Sequence, residues 1–119
     1  MQKVKISDKF ALIKSHYDPK IIAELNGQHV KLVKLKGPYV WHHHEAEDEL
    51  FLVVKGRFCM ELRDERIWLH EGELLVVPRG VEHRPVAKEE AHILLFEPAS
   101  TVNTGNVQNE MTKLEIDRI

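Results

Sequence analysis

Short apolar runs separated by turn residues make up the middle of this 119-residue chain, and they limit what it can fold into. Apolar and polar side chains alternate along most of these runs, as Phe58, Met60 and Leu62 show. A period of two indicates a β-strand, because successive side chains of a strand point to opposite faces. No convincing helical stripe competes with this pattern. The sequence therefore favours an antiparallel β-sandwich or small barrel.

Turn signals set the bounds of the predicted strands. Asn26-Gly27 is the clearest of them, because a type I′ hairpin turn needs positive φ at both central residues, which asparagine and glycine tolerate. Further turns are predicted at Gly56, Asp64, Gly72, Gly80 and residues 88–90. The predicted strands cover residues 21–25, 29–35, 39–44, 49–55, 57–62, 67–69, 74–77, 81–87 and 91–97.

Composition excludes several classes of protein. The net charge of -2 gives no basic field for nucleic acid. No apolar run approaches the ~20 residues of a membrane-spanning helix. Residues 1–14 lack the apolar core of a secretory signal, and the single cysteine, Cys59, cannot form an internal disulfide. These features predict one cytoplasmic domain over residues 1–119 that binds neither nucleic acid nor membrane.

Three histidines and one glutamate are spaced so that a barrel would bring them together. His42 and His44 are two residues apart on a predicted strand and share a face, while His43 points away. Glu49 begins the next strand, and His83 begins another after a Pro-Arg-Gly turn. Imidazole and carboxylate groups on one inner surface suit a single divalent transition metal: iron, manganese, nickel, copper, cobalt or zinc.

The same residues also have a structural interpretation. The histidine run alone is typical of a solvated surface cluster, and Glu49 continues an acidic stretch that begins at Glu45. Glu49 nevertheless shares its face with Phe51 and Val53, so as a plain strand end it would place an unpaired charge beside the core. A ligand role is therefore the preferred hypothesis for the four residues.

Other conspicuous side chains are expected to be structural. His92 alternates with apolar residues and is predicted to lie in the core or at its rim. Cys59 has no evident basic partner, which favours a structural thiol over a nucleophile. Trp41 and Trp68 are assigned to packing or to an interface.

Two motifs in this part of the chain resemble those of the cupin family. The first, H-x-H-x4-E-x6-G, is matched by His42, His44, Glu49 and Gly56. The second, G-x5-P-x-G-x2-H, is matched by Gly72, Pro78, Gly80 and His83. The chain departs from the family pattern at two positions: Gly37 lies one residue too close to the first histidine, and Ala87 replaces a frequent asparagine.

This resemblance implies a fold and a set of metal ligands. The fold is a cupin double-stranded β-helix, a jelly-roll-like antiparallel barrel, with motifs at residues 37–56 and 72–87 and a tail at 99–119. The family's metal ligands correspond to His42, His44, Glu49 and His83. Small cupins of this kind are often labelled mannose-6-phosphate isomerase-like, but that label rests on the fold, which does not name a reaction.

Two hypotheses of function follow. The first is a metal-dependent enzyme of dioxygenase or isomerase type that acts on a small oxygen-bearing molecule, with Glu49 as the candidate for both ligand and base. Its mostly apolar pocket is predicted to be lined by Phe51, Val53, Met60, Leu94 and Phe96. The second is a non-catalytic binding or sensing module in which the metal is structural or captures a small-molecule ligand.

The opposite face of the strand at residues 49–55 predicts a homodimer. Leu50, Leu52 and Val54 lie on this face, and together they would form an exposed apolar patch of the kind that monomers avoid. The alternative is that the N-terminal segment, residues 4–25, covers the patch.

Overall fold

The computed structural model describes all residues, 1–119, and every pairing between its seven strands is antiparallel. One short helix precedes them, α1 (Ile6–Leu12). The strands are β1 (Lys20–Leu25), β2 (Gln28–Pro38), β3 (Glu49–Lys55), β4 (Arg57–Leu62), β5 (Arg66–His70), β6 (Leu74–Val77) and β7 (His83–Pro98). Their order is β1-β2-β7-β3-β6, and β4 pairs with both β5 and β7. The antiparallel all-β architecture expected from the sequence is confirmed.

The predicted hairpin at Asn26-Gly27 joins β1 to β2. Leu25 pairs with Gln28, which leaves a two-residue loop. The φ angles of Asn26 and Gly27 are 49° and 76°, so both residues adopt the left-handed conformation that a type I′ turn requires.

β7 joins the two halves of the barrel. One of its edges pairs with β2 over residues 86–87 and 91–98, with a shift of register at residues 88–90, while the other pairs first with β4 and then with β3. The prediction of two strands separated by a turn at residues 88–90 is wrong. These three charged residues are exposed but extended, because a strand tolerates charged side chains wherever they face solvent.

Alternate residues of the strands point into the barrel and form its core. On β3, the buried residues are Glu49, Phe51 and Val53, as the alternation predicted. The largest buried apolar cluster contains Tyr17, Val33, Leu35, Tyr39, Phe51, Val53, Phe58, Met60, Leu69, Val77, Ala87, Ala91, Ile93 and Leu95.

The helix α1 covers part of the outside of the barrel. Phe10 and Ile13 are buried against Leu32, a residue of β2 that points away from the barrel interior, and Leu94 of β7 packs on the same cluster. The N-terminal segment therefore shields the outer face of β2 and β7. No helix of the structure has the length and apolar character needed to cross a membrane.

Residues 39–44 do not form the predicted strand. They contain a single isolated backbone bridge, between His42 and His83, and no continuous ladder. The tail runs across this segment and then returns to β1, where Ile21 donates a hydrogen bond to Asp117 (2.9 Å) and accepts one from Ile119 (3.1 Å). The tail is thus part of the folded barrel.

Candidate metal centre

The structure brings the four predicted ligand residues together inside the barrel. One ligand atom from each of His42, His44, Glu49 and His83 lies within 4.8 Å of the other three, and all four side chains are buried. Glu49 Oε1 is 3.3 Å from His44 Nε2 and 3.5 Å from His83 Nε2. The geometry thus offers three imidazole nitrogens and one carboxylate to a single point, a donor set suited to a divalent transition metal.

Backbone hydrogen bonds place these residues. His42 donates to the carbonyl of His83 (3.1 Å), and His83 donates back to the carbonyl of His42 (2.9 Å). Gly80 donates to the carbonyl of His44 at 2.8 Å, which ties the second histidine to the turn before β7. Glu49 is fixed as the first residue of β3.

The tautomers of two ligand histidines are set by neighbouring carbonyl groups. Nδ1 of His42 lies 2.9 Å from the carbonyl of Val40, and Nδ1 of His83 lies 2.9 Å from that of Val81. A carbonyl only accepts, so each Nδ1 carries the proton and donates it, which leaves Nε2 with its lone pair. Carbonyl groups that fix the ring in this way are typical of metal-binding histidines.

Three buried atoms at this point have no hydrogen-bond partner: His44 Nε2, His83 Nε2 and Glu49 Oε1. Buried polar atoms are almost always satisfied, because leaving one unpaired costs about 1–3 kcal/mol. Their convergence fits a cation that accepts all three lone pairs. The residues present therefore fit the metal that the resemblance implied.

Two of the candidate ligands, His42 and Glu49, have pKa values shifted in the direction that favours metal binding. Burial, followed by the charge of the neighbouring His83, lowers the pKa of His42 to about 4, so its ring is neutral at neutral pH. Burial alone raises the pKa of Glu49, but its polar neighbours Glu97, His44 and His83 outweigh this effect. The pKa of Glu49 is consequently held well below its usual value.

A second carboxyl group, which the sequence analysis missed, lies beside the first. Glu97 is 2% exposed and accepts a hydrogen bond from the equally buried Lys31, whose Nζ lies 2.9 Å from Glu97 Oε1. Its Oε2 has no partner. Burial and the negative charge of Glu49 hold the pKa of Glu97 well above its ordinary value. The sequence signal that could have placed Glu97 inside the barrel is its alternation with Leu95 and Ile93.

Two of the four candidate ligands, His42 and Glu49, line a cavity of about 40 Å³. This volume has room for a metal ion with a few water-sized ligands. Tyr17 stacks on Tyr39 at 4.5 Å between ring centroids, and the edge of Tyr39 meets the ring of His42 at 5.6 Å. The lining consists of Tyr17, Pro19, Val33, Leu35, Tyr39, His42, Glu49, Phe51, Pro85, Leu95, Glu97 and Asn103.

The predicted pocket lining is only partly correct. Phe51 lines the cavity, but Val53 and Met60 are fully buried in the core outside the cavity lining. Leu94 and Phe96 were assigned to the wrong face of β7. In the register with β3 they lie opposite Leu52 and Leu50, on the outer face of the sheet, and the residues between them point inward.

The other side chains singled out in the sequence lie outside the cavity. His92 packs at the rim against α1, where its ring stacks on Phe10 at 4.5 Å. Cys59 is buried, and burial raises the pKa of its thiol, which disfavours a nucleophile. Trp41 lies under the guanidinium group of Arg63 at 3.9 Å from its ring centroid.

The fold and the site together define a cupin. A family model described as a cupin domain matches residues 30–97, which include all four candidate ligands, and the chain belongs to this family. Among solved structures, a cupin-2 domain protein of Shewanella frigidimarina is 46% identical with a TM-score of 0.79, covering 80% of this chain and 93% of that one. The predicted family is therefore confirmed.

Two curated relatives share the central region. An uncharacterised protein of Bacillus subtilis, YdbB, is 39% identical over 64 residues, which cover 53% of this chain and 57% of that protein. Acireductone dioxygenase 4 of rice, Oryza sativa subsp. japonica, is 33% identical over 68 residues, which cover 53% of this chain and 36% of that enzyme. The matched region thus spans between about a third and three fifths of these relatives.

Proposed function

We propose that His42, His44, Glu49 and His83 bind one divalent transition metal and that the adjoining cavity carries out a dioxygenase-type reaction on a small oxygen-bearing molecule. The observation that carries the proposal is the cluster of buried, unpartnered ligand atoms, which adjoins the cavity through Glu49 and His42. The donor set is compatible with iron, manganese, nickel, copper, cobalt or zinc. The similarity to the rice relative, which is named an acireductone dioxygenase, supports a dioxygenase-type reaction.

The residues of the cavity suit such a reaction. A metal of this class, held by His42, His44, Glu49 and His83, would supply Lewis acidity and, where it is iron, activation of oxygen. The apolar and aromatic walls exclude water from the substrate. Glu97 lines the cavity with an unpartnered Oε2, so it is the group we assign to hydrogen-bond a substrate hydroxyl. Glu49 then remains a ligand and need not act as the base.

The charged groups in the cavity lining indicate which class of substrate it favours. Its lining contains two carboxyl groups and neither lysine nor arginine, and the one nearby lysine is already paired with Glu97. A phosphate group would meet no cation there other than the metal, and it would face repulsion from Glu49. The cavity therefore favours a small unphosphorylated molecule with adjacent oxygens over a sugar phosphate.

The test combines metal analysis with two activity assays. The purified protein is reconstituted with each of the six metals, and oxygen uptake is followed with small phenols, diketones and keto acids. Isomerisation of sugar phosphates is assayed in parallel. We expect oxygen uptake with at least one metal form, and no uptake with His44→Ala. Isomerisation of a sugar phosphate without oxygen uptake would contradict the dioxygenase proposal.

The size of the cavity favours a second candidate, a non-catalytic binding module. A volume of about 40 Å³ accommodates a metal with a few waters, so a larger substrate must first displace side chains. In a binding module, the metal would capture a small ligand without turnover. Stoichiometric metal binding and ligand binding, with no consumption of any compound in the panel, would favour this candidate.

A further inference from the structure

Residues 42–44, which carry two of the candidate ligands, pair with the barrel along one backbone edge. The backbone groups on the other edge need hydrogen-bond partners. In an extended chain, successive residues direct their N–H and C=O groups to opposite sides. His42 uses both groups to pair with His83. The corresponding groups of His43 point away from β7, and no strand lies there.

Asn106 of the tail takes the place of that missing strand. Its backbone N–H donates to the carbonyl of His43 at 3.0 Å, and its side-chain Oδ1 accepts from the N–H of His43 at 2.8 Å. One residue therefore satisfies both backbone groups of the residue between the two ligand histidines. Because the two bonds hold both backbone groups of His43, they limit where His42 and His44 can point.

Gly105 brings the tail into direct contact with a ligand ring. Its φ is 55°, in the left-handed region that favours glycine. A Cβ at this position would overlap the carbonyl oxygen of His43 and lie 3.0 Å from Cδ2 of His42. Only a residue without a side chain lets the tail backbone approach this closely.

The loop that presents these two residues is itself tightly bonded. Thr104 is completely buried, and its hydroxyl lies 2.6 Å from both the carbonyl of Val107 and the hydroxyl of Thr112. Asn103 donates to the hydroxyl of Tyr39 (2.9 Å) in the cavity wall and to the carbonyl of Met111 (2.9 Å). These hydrogen bonds hold the loop in place beside the site.

We propose that Gly105 and Asn106 are positioning residues of the metal centre. They act through the backbone of His43 and the ring of His42, and neither touches the metal or the substrate. This inference rests on the proposed metal site. Partners that orient ligands typically contribute 10–100-fold to metal affinity. The metal affinity of the protein therefore depends on a segment outside both sequence motifs.

The first test is a titration of the metal-free protein with Co²⁺, followed by its visible absorption spectrum. We expect Asn106→Ala to weaken Co²⁺ binding by about 10-fold or more and to change the spectrum. Asn106→Asp keeps the acceptor oxygen and is expected to restore most of the affinity. Asn109→Ala is the matched control, since Asn109 bonds only within the tail, to Met111 and Thr112.

The second test uses a matched pair of glycines. Gly105 and Gly72 both have positive φ, but a Cβ on Gly72 would have nothing within 4 Å. The two alanine variants share the backbone strain, so only Gly105→Ala adds the overlap with His43. We expect Gly105→Ala to lose about 10–100-fold in Co²⁺ affinity, with Gly72→Ala close to wild type. Circular dichroism of the metal-free variants checks that they are folded.

The outcomes separate this inference from the proposed function. Failure of the wild-type protein to bind Co²⁺ would overturn the metal site and the inference with it. Wild-type binding with unchanged affinity and spectrum in Asn106→Ala and Gly105→Ala would overturn the inference alone. An equal loss in Asn109→Ala would also overturn it, because the effect would then belong to the loop as a whole.

Discussion

His43 lies between two candidate ligands and differs from them in the face to which it points. His42 and His44 are buried beside Glu49, whereas the side chain of His43 is partly exposed and bonds to Glu45. We expect His44→Ala to weaken Co²⁺ binding by more than about 100-fold, beyond the range for partners that only orient a ligand. His43→Ala keeps the backbone bonds to the tail and is expected to bind normally. A calorimetric titration that finds equal losses in both would contradict the assignment.

The shifted pKa of His42 predicts how the stability of the metal-free protein depends on pH. A histidine in an unfolded chain titrates near 6.5, whereas His42 in the folded chain has a pKa of about 4. Between these values the unfolded chain binds the extra proton, so the free energy of unfolding falls as pH drops from about 6.5 to about 4. The full shift corresponds to roughly 3 kcal/mol.

Urea unfolding of the metal-free protein at pH 7 and pH 4.5 measures this effect. We expect His42→Asn to remove most of the difference in unfolding free energy between the two pH values. His70→Asn is the control, because His70 is an exposed histidine outside the site. An unchanged difference in His42→Asn would mean that His42 does not resist protonation in the folded state.

Replacing only one member of the buried pair of Lys31 and Glu97 is expected to lower the free energy of unfolding. Removing one partner leaves an uncompensated buried charge, which typically destabilises a protein by about 3–5 kcal/mol. We expect Glu97→Leu to reach this range and the double variant Lys31→Met with Glu97→Leu to recover most of the loss. Additive losses in chemical unfolding of the single and double variants would show that the two side chains do not interact.

Among the structural elements, α1 is short, and packing rather than helix propensity keeps it in place. An isolated helix of seven residues is unstable in water, so its contacts with β2 and β7 determine whether it forms. Phe10 is 3% exposed, packs in the cluster with Ile13 and Leu32, and stacks its ring on His92.

Two substitutions on α1 test this explanation. Phe10→Ala is expected to lower the free energy of unfolding by about 3 kcal/mol, because it removes a buried aromatic ring. Leu12→Ala on the same helix is expected to cost little, since Leu12 is 59% exposed. Equal effects of the two substitutions in thermal unfolding would indicate that α1 is not held by its buried face.

At the scale of the whole molecule, the outer face of β3 and β6 is left uncovered. Leu50 lies opposite Val76, and Leu52 opposite Leu74, so the four side chains share one face. Leu74 and Val76 are 59% and 47% exposed, and α1 covers only the neighbouring part of the sheet. β6 is also an edge strand, so a second copy of the chain could cover the apolar face and extend the sheet.

We therefore expect the protein to be a homodimer through this face. Light scattering at micromolar concentration should give twice the mass of the 13.9 kDa chain. Val76→Lys places a charge in the face and is expected to yield a monomer. Leu114→Lys changes a residue that is also exposed but lies in the tail, and it should leave the mass unchanged. A monomeric wild-type protein would contradict the dimer.

The sequence by itself determined the features that depend on neighbouring residues. His42 and His44 point to the same side because side chains two residues apart in an extended chain share a face. Glu49 and Phe51 share a face of β3 for the same reason. The turn at Asn26-Gly27 follows from the φ preferences of its two residues. Each of these signals lies within a few residues of the structure it specifies.

The tertiary structure decided what depends on contacts between distant segments. All four residues from Ile93 to Phe96 are apolar, so the pattern alone cannot say which pair faces the cavity, and the register with β3 decides it. The pairing of Lys31 with Glu97 and the support of His43 by Asn106 join residues more than sixty positions apart. No local periodicity records such a contact, because it exists only once the strands are paired and the tail has crossed the barrel.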